Sequence, residues 1–561
     1  MAQTSASENV TPTAGDGPTP ATPNTSHDEK GSVAVSALIF AAGTLLSRVL
    51  GLLRDMMTAR YFPVDVRDAY VNAFRLPNLF RRILGEGSLS VSFIPIFVEI
   101  LSGKNSRTKT EAEAKAKSLV AAVFSILTSI SMTISLIAIL FMPEIMRFLL
   151  GGEEYMAVPG KFDLTVRLGR IMFAFLILIS LYAFFMAILN SMKKFAMTAL
   201  APCFFNIAMI GAALVSPRLA APEDILAWSV IIGGFLQMAV LIPGVLKAGY
   251  FPKPTLRWNT PEVIRMFKAI LPSIFGMSIL QITTLVNMYF ASHLPRGSHS
   301  YLYFADRILE LPLSLFVVSI GSALLPTLAK YWAEENKSAM AETINHYLRL
   351  IVFVALPAAL GMFVLAQPIT EVLFLGREFK YDDAVATAWV IRVYSFSVIV
   401  AAGVRILAQG FYAIQNTWFP ALAGAVALVA HVIFAFALTK QFKLNGLAAS
   451  SVLSGTVNLL MLATAYNNWV GSLDLKRFAV SFGKFMICGL IMVVALQAYD
   501  PLYAAVGGRF IRRAPVLLAT IDFGAFVYMA CAHFMKIPEY KETVATFGGK
   551  IGRKLSRFKR K

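Results

Sequence analysis

The chain has 561 residues, of which 57% are hydrophobic and only 15% charged, with a formal net charge of +19; its mean hydropathy is +0.66. Soluble domains hold about 25% charged residues, so a chain built of water-facing globular domains is excluded and the outer surface is expected to meet lipid. The positive balance then reads as topology signal and contact with anionic head groups, not as nucleic-acid binding.

Residues 1–31 are rich in Ser, Thr, Pro, Gly and Asn and nearly devoid of large apolar side chains, which marks a disordered tail without signal-peptide order. About fourteen apolar stretches long enough to span a bilayer follow. They lie near 33–60, 69–100, 118–142, 165–190, 197–216, 225–246, 264–291, 300–329, 348–375, 386–413, 419–438, 446–466, 478–499 and 515–535. Pro77, Pro95 and Pro357 are the expected breaks within the second and ninth. Lys and Arg gather in the connections 104–117, 193–194 and 247–268 and in the C-terminal tail, which places these segments and both termini in the cytoplasm. Arg509, Arg512 and Arg513 fall on the opposite side and break the pattern.

An internal repeat underlies these spans. Ala187-Ile188-Leu189-Asn190-Ser191 recurs as Ala413-Ile414-Gln415-Asn416-Thr417, and Phe74-Arg75 with Pro95 is echoed by Asp306-Arg307 with Pro326. The offset of about 226 to 232 residues equals six spans, an even number, so both halves share one orientation. The division is therefore a tail (1–31), two six-helix lobes (32–247 and 248–470), two additional helices (471–536) and a basic cytoplasmic tail (537–561). The fold class is an all-α polytopic membrane protein with two pseudo-repeated lobes around a central cavity.

A basic side chain at mid-bilayer costs about 2.5–3.5 kcal/mol on insertion scales. The first span nevertheless holds Arg48, Arg54 and Asp55, the second Arg75, Arg81, Arg82 and Glu86, the eighth Asp306, Arg307 and Glu310, and the tenth Arg392 and Arg405. At 100° per residue Arg48 and Asp55 share a face, with Arg54 about 120° from Arg48, so they do not form one lipid-edge stripe. Arg82 with Glu86 and Arg307 with Glu310 have the spacing of structural ion pairs. Arg48, Arg54, Arg81 and Arg307 exceed the nearby acids and sit in the leading helices of the two halves. Their expected role is the wall of a water-filled cavity that binds an anion. Guanidinium forks hold phosphate bidentately and stay charged at any working pH.

Motifs for covalent chemistry are lacking. The chain has no GxxxxGK[ST] loop for ATP and no HExxH, its six histidines are scattered, and its three cysteines form no metal-ligand spacing. A transporter rather than an enzyme is expected, with no metal or cofactor.

The stretch Ser47-Arg48-Val49-Leu50-Gly51 with Arg54-Asp55 resembles the opening of the MurJ (MviN) lipid II flippases. So do Phe74-Arg75-Leu76-Pro77-Asn78-Leu79-Phe80-Arg81-Arg82, Gly85-Glu86-Gly87-Ser88 and Phe93-Ile94-Pro95. Ala305-Asp306-Arg307 with Glu310 and Pro312, Ala199-Leu200-Ala201-Pro202 with Asn206, and Gly410-Phe411-Tyr412 extend the likeness over roughly residues 36–470.

The resemblance implies a MOP-exporter fold of two six-helix lobes plus two helices that form a groove for a lipid tail. It implies movement of an undecaprenyl-pyrophosphate-linked peptidoglycan precursor (lipid II) from the cytoplasmic to the outer leaflet of the bacterial inner membrane. The family's cavity arginines fall on Arg48, Arg54, Arg81 and Arg307, and its gate or cavity polar partners on Ser47, Asp55, Asp68, Glu86 and Ser300. Energy is expected from a monovalent cation or the membrane potential. The expected partners are lipid II, membrane lipids and other wall-synthesis proteins, with no nucleic acid. Other readings are a flippase for another polyprenyl-linked glycan, a cation-coupled exporter of the same fold, or a scaffold for wall enzymes. Two departures stand out. The loop before Asp68 reads Phe62-Pro63-Val64-Asp65-Val66-Arg67 in place of a glycine-containing one, and Asn416 and Trp418 stand where the family usually has Asp and a basic residue.

Overall fold

The computed structural model describes residues 25–83, 89–103, 108–219, 221–314, 318–506 and 510–545. The tail 1–24, Glu86, Lys104, Arg107, Arg509 and the basic C-terminal segment beyond 545 lie outside the described residues. The first half runs α1 (Thr25–Tyr61), α2 (Val64–Phe80), α3 (Leu89–Leu101), α4 (Lys109–Leu140), α5 (Met142–Leu150) and α6 (Glu153–Met156). Then come α7 (Lys161–Phe173), α8 (Phe175–Ser191), α9 (Phe195–Val215), α10 (Pro222–Ala239) and α11 (Ile242–Lys247). The second half runs α12 (Pro261–Ser292), α13 (Ser298–Pro312), α14 (Val318–Ala333), α15 (Lys337–Val364) and α16 (Ala366–Phe374). It continues with α17 (Tyr381–Ala413), α18 (Trp418–Trp469), α19 (Leu475–Leu496), α20 (Tyr499–Val506) and α21 (Phe510–Phe534).

Helices fall on each apolar interval expected from the sequence, and no strand occurs among the described residues. By length and hydropathy, nine of the helices among those residues can cross a membrane. That number falls below the fourteen intervals partly because α18 contains two of them. Its backbone leaves helical geometry at Lys443 (φ 48°, ψ −126°), and Ser450 Oγ lies 3.2 Å from His431 Nδ1. Nineteen residues of straight helix would separate those atoms by about 28 Å, so α18 is a hairpin. Helix starts follow ordinary capping: Thr108 and Asn336 side chains accept the amides of Glu111 and Ala339, and Asp474 accepts that of Arg477.

Pro357 does not break the ninth interval, because α15 continues to Val364 and the chain turns at Leu365. Proline removes the amide that would bond the carbonyl four residues earlier. Here that carbonyl belongs to Phe353, and the Tyr528 hydroxyl of α21 donates to it at 2.9 Å. Pro77 and Pro95 likewise lie inside α2 and α3, not between them. The two copies of the repeated pentapeptide sit four residues out of register, Ala187–Ser191 inside the end of α8 and Ala413–Thr417 starting at the last residue of α17, yet both helices end in the same kind of turn. A left-handed residue follows each helix (Lys193, φ 59°; Gln415, φ 60°), and the next amide returns to the carbonyl five residues back: Lys194 to Leu189, and Asn416 to Phe411.

The apolar interior forms two clusters. One gathers Phe74, Phe93, Phe175, Phe184 and Phe205 from the first half; the other gathers Phe304, Phe353, Phe374, Phe379 and Tyr466 from the second. α1 bridges them, packing along α9 while Met56 and Ala59 near its end join the second cluster. The approach to α9 requires Gly43, since a Cβ there would lie 2.9 Å from that of Ala199. α19 and α21 pack on each other and against α15. Arg513 is 3.8 Å from Glu371 and stacks on Tyr503, so one of the three arginines that break the charge pattern carries its own partners.

Candidate functional site

Arg48, Arg54, Arg81 and Arg307 line one cavity of about 410 Å³. Its walls come from the stretch Ser47–Asp55 of α1, the end of α2, the apolar faces of α8 and α9, and the last two turns of α13. Arg54 and Asp55 are both buried. Arg54 donates to Asp55 Oδ1 through Nη2 (2.8 Å) and Nε (3.0 Å), and through Nη1 to Asn206 Oδ1 (3.2 Å). Asn206 in turn donates to the Ser47 carbonyl (3.0 Å), fixing α1 on α9. Arg307 reaches the same carboxylate from the other half, its Nε 3.4 Å from Asp55 Oδ2, and bonds Glu310 at 2.9 Å.

Tyr303 sits between the two arginines. Its hydroxyl donates to Asp55 Oδ1 (3.1 Å) and accepts from Arg307 Nη2 (3.3 Å). Arg48 donates to the Ser314 hydroxyl at 2.5 Å, and Arg81 to Asn78 Oδ1 at 2.9 Å. Arg82 does not line the cavity; it approaches Glu310 at 3.8 Å, while its sequence-expected partner Glu86 lies outside the described residues. Even with Arg81 set aside, three guanidinium groups meet two carboxylates here. The arrangement can bind an anion with several oxygens, provided these replace Asp55 and Glu310 as acceptors.

Asp68 and Ser300 meet each other, away from this cavity. Asp68 is fully buried at the start of α2, about 20 Å along the helix from Arg81 at 1.5 Å per residue. It accepts from the Ser300 amide (2.9 Å) and hydroxyl (2.5 Å), the Gly297 amide (3.0 Å) and Lys161 Nζ (2.7 Å). Gly297 has φ +91°, and a Cβ there would strike the Tyr301 ring, so the turn that presents its amide suits glycine alone.

The departing loop before Asp68 supplies the rest of a seam between the halves. Arg67, fully buried, donates to Asp383 Oδ2 at 2.8 Å and lies 4.6 Å over the Phe379 ring. The Tyr301 hydroxyl donates to Asp383 Oδ1 at 2.5 Å. Asp65 takes a two-pronged bond from Arg296, and this bond raises Arg296 above the usual arginine range. Arg60 closes the end of α1 onto the 372–378 turn, donating to the Val372 carbonyl and accepting from the Glu378 amide.

Ser47 and Asp55 thus sit at the cavity, and Asp68 and Ser300 at the seam. Sequence reasoning missed Tyr303, four residues before Arg307 on the same helical face. It also missed Lys161 and Asp383. Asn416 caps α18 through the Phe419 amide (3.0 Å), and Trp418 is exposed.

The family model for lipid II flippase MurJ matches residues 58–508. A probable lipid II flippase MurJ of Bdellovibrio bacteriovorus is 38% identical over 515 residues, covering 91% of this chain and 97% of the relative. The lipid II flippase MurJ of Burkholderia cenocepacia is 32% identical over 433 residues, with 76% and 82% covered. Among solved structures, lipid II flippase MurJ in an inward closed conformation superposes with a TM-score of 0.73 at 23% identity, covering 90% of this chain and all of that one. An inward-facing MATE multidrug-resistance transporter of the MOP superfamily gives 0.64 at 13% identity over 80% of this chain and 99% of that one; these two likenesses establish the fold. By the family-model match and the identity to its relatives, this chain belongs to the MurJ lipid II flippase family.

Proposed function

We propose that the protein carries lipid II from the cytoplasmic to the outer leaflet of the bacterial inner membrane by alternating access, as a transporter and not an enzyme. The observation that carries the mechanism is the convergence of Arg48, Arg54 and Arg307 from both halves on one cavity. The pyrophosphate enters from the cytoplasmic side and displaces Asp55 and Glu310 from these arginines, with Arg81 at the rim. Once their charge is neutralised, the halves approach around the head group and the seam at Asp68, Arg67 and Asp65 opens as the outer gate. An inside-negative potential is worth about 2.3 kcal/mol per charge per 100 mV. It drives the anionic head group outward and draws the emptied, positive cavity back. Coupling to a monovalent cation is an alternative energy source.

The test is rapid depletion in cells that depend on this gene, with complementation by Arg48→Ala, Arg54→Ala and Arg307→Ala. Lipid II is expected to accumulate in the inner leaflet and none of the variants to restore wall synthesis. Normal growth with all three would refute the grip. An unchanged leaflet distribution on depletion would refute the transport reading.

A further inference from the structure

A second cavity, of about 340 Å³, adjoins the seam on the side of the second half. The turn 295–301 provides Arg296, Ser298 and Tyr301, α17 provides Trp389, and the reversal of α18 provides Lys443 and Asn445. Its described lining holds two cationic side chains and several hydrogen-bond donors but no carboxylate. Lys443 forms no ion pair among the described residues, and its backbone (φ 48°, ψ −126°) lies where glycine is the usual residue. Strain of that kind persists where the surroundings fix it and often marks a working site. Trp389 and Phe442 are about half exposed, as aromatic side chains at a membrane–water interface are.

We propose that this cavity binds a phosphate-type oxyanion, and that the bound anion loosens the seam. Arg296 and Tyr301 are the shared residues: one holds Asp65 and the other Asp383 in the closed seam. An oxyanion seated between Arg296 and Lys443 competes with Asp65 for the guanidinium and so favours separation of the halves at this end. A lipid head group and free phosphate offer the same chemistry. The site itself is independent of the transport reading; its coupling to opening rests on the seam being the outer gate.

The experiment uses the full chain in lipid nanodiscs, with native cysteines replaced by alanine and spin labels at Pro63→Cys and Arg377→Cys, exposed positions on either side of the seam. Distances are compared in phosphatidylcholine discs, in discs containing phosphatidylglycerol, and in phosphatidylcholine discs with inorganic phosphate. The short-distance population should fall with the anion. In Lys443→Gly, which keeps the backbone and removes the charge, the required anion concentration should rise about tenfold, the scale of one charge-assisted contact. Asn445→Ala should act in the same direction. A response to phosphatidylglycerol alone assigns the lipid source, and a response to phosphate assigns the soluble one. No distance response in the unsubstituted chain overturns the loosening of the seam. A response undiminished in Lys443→Gly overturns the site, because the central arginines would then be the receptor. Native mass spectrometry counts retained phosphatidylglycerol separately: loss in Lys443→Gly without any distance change upholds the site and overturns the gate.

Discussion

Replacing Asp383 by Asn isolates the charge that holds the seam. Asn keeps one oxygen, which can accept the Lys380 amide, and its Nδ2 can donate to the Tyr301 hydroxyl where Asp383 accepted from it, so capping of α17 survives. What is lost is the counterion of Arg67, whose side chain is 0% exposed and whose Nε and Nη1 have no hydrogen-bond partner among the described residues. Removing one member of a buried pair costs about 3–5 kcal/mol. Since Asp383 retains 13% exposure and Phe379 still covers the guanidinium, the lower end applies, about 3 kcal/mol. At 1.4 kcal/mol per tenfold, the ratio of closed to open seam should fall about 100-fold. Distance measurements between labels at Pro63→Cys and Arg377→Cys in phosphatidylcholine nanodiscs read that ratio directly. Combining Arg67→Met with Asp383→Leu should restore closure, because apolar replacement of a whole buried pair is often neutral. If Asp383→Asn shifts the ratio equally with Arg67 present and with Arg67→Met, the two side chains are uncoupled and the reasoning fails.

Lys161→Met should weaken closure less than a fully stripped carboxylate would, by about 3 kcal/mol, because Asp68 keeps its three donors from Gly297 and Ser300; the same labels report it. Arg54→Lys should abolish complementation although it preserves charge, since a point ammonium cannot serve Asp55 and Asn206 together as the planar fork does. A normal growth rate would refute this. Arg349→Ala strands the buried Glu539, bonded at 3.1 Å, and should destabilise the fold by about 3–5 kcal/mol. It should lower Tm while leaving flipping per folded molecule unchanged.

Class and site were legible in the sequence for different reasons. Composition alone forces a lipid-facing helical chain, and the energetic cost of Arg48, Arg54, Arg81 and Arg307 at membrane depth flags them without any structure. Their partners were not legible, because pairing joins residues far apart in the chain: Tyr303 lies 248 residues from Asp55, and Asp383 lies 316 from Arg67. A loop count treats Lys161 as a topology signal, whereas burial against Asp68 makes it the counterion of the seam. Pro357 misled in the same way. A proline removes one donor, and only the fold reveals that Tyr528, 175 residues from Phe353, replaces it.

The two ends of the machine are joined by the same helices. α2 carries Asp68 at its start and ends beside Arg81, about 20 Å along the helix axis. α13 carries Ser300 at its start and Arg307 two turns later. A rigid helix that tilts to close one end therefore opens the other, and the pairs at each end decide which tilt is favoured. Asp55 and Glu310 hold Arg54 and Arg307, so each guanidinium of this pair has a carboxylate acceptor. A ligand moves such an equilibrium only through its different affinity for the two tilts. In the proposed cycle that difference comes from exchange: phosphate oxygens replace carboxylates that belong to α1 and α13 themselves. The internal ties across the cavity are thereby traded for ties through the cargo, and the outward step of the halves follows only once the head group is held.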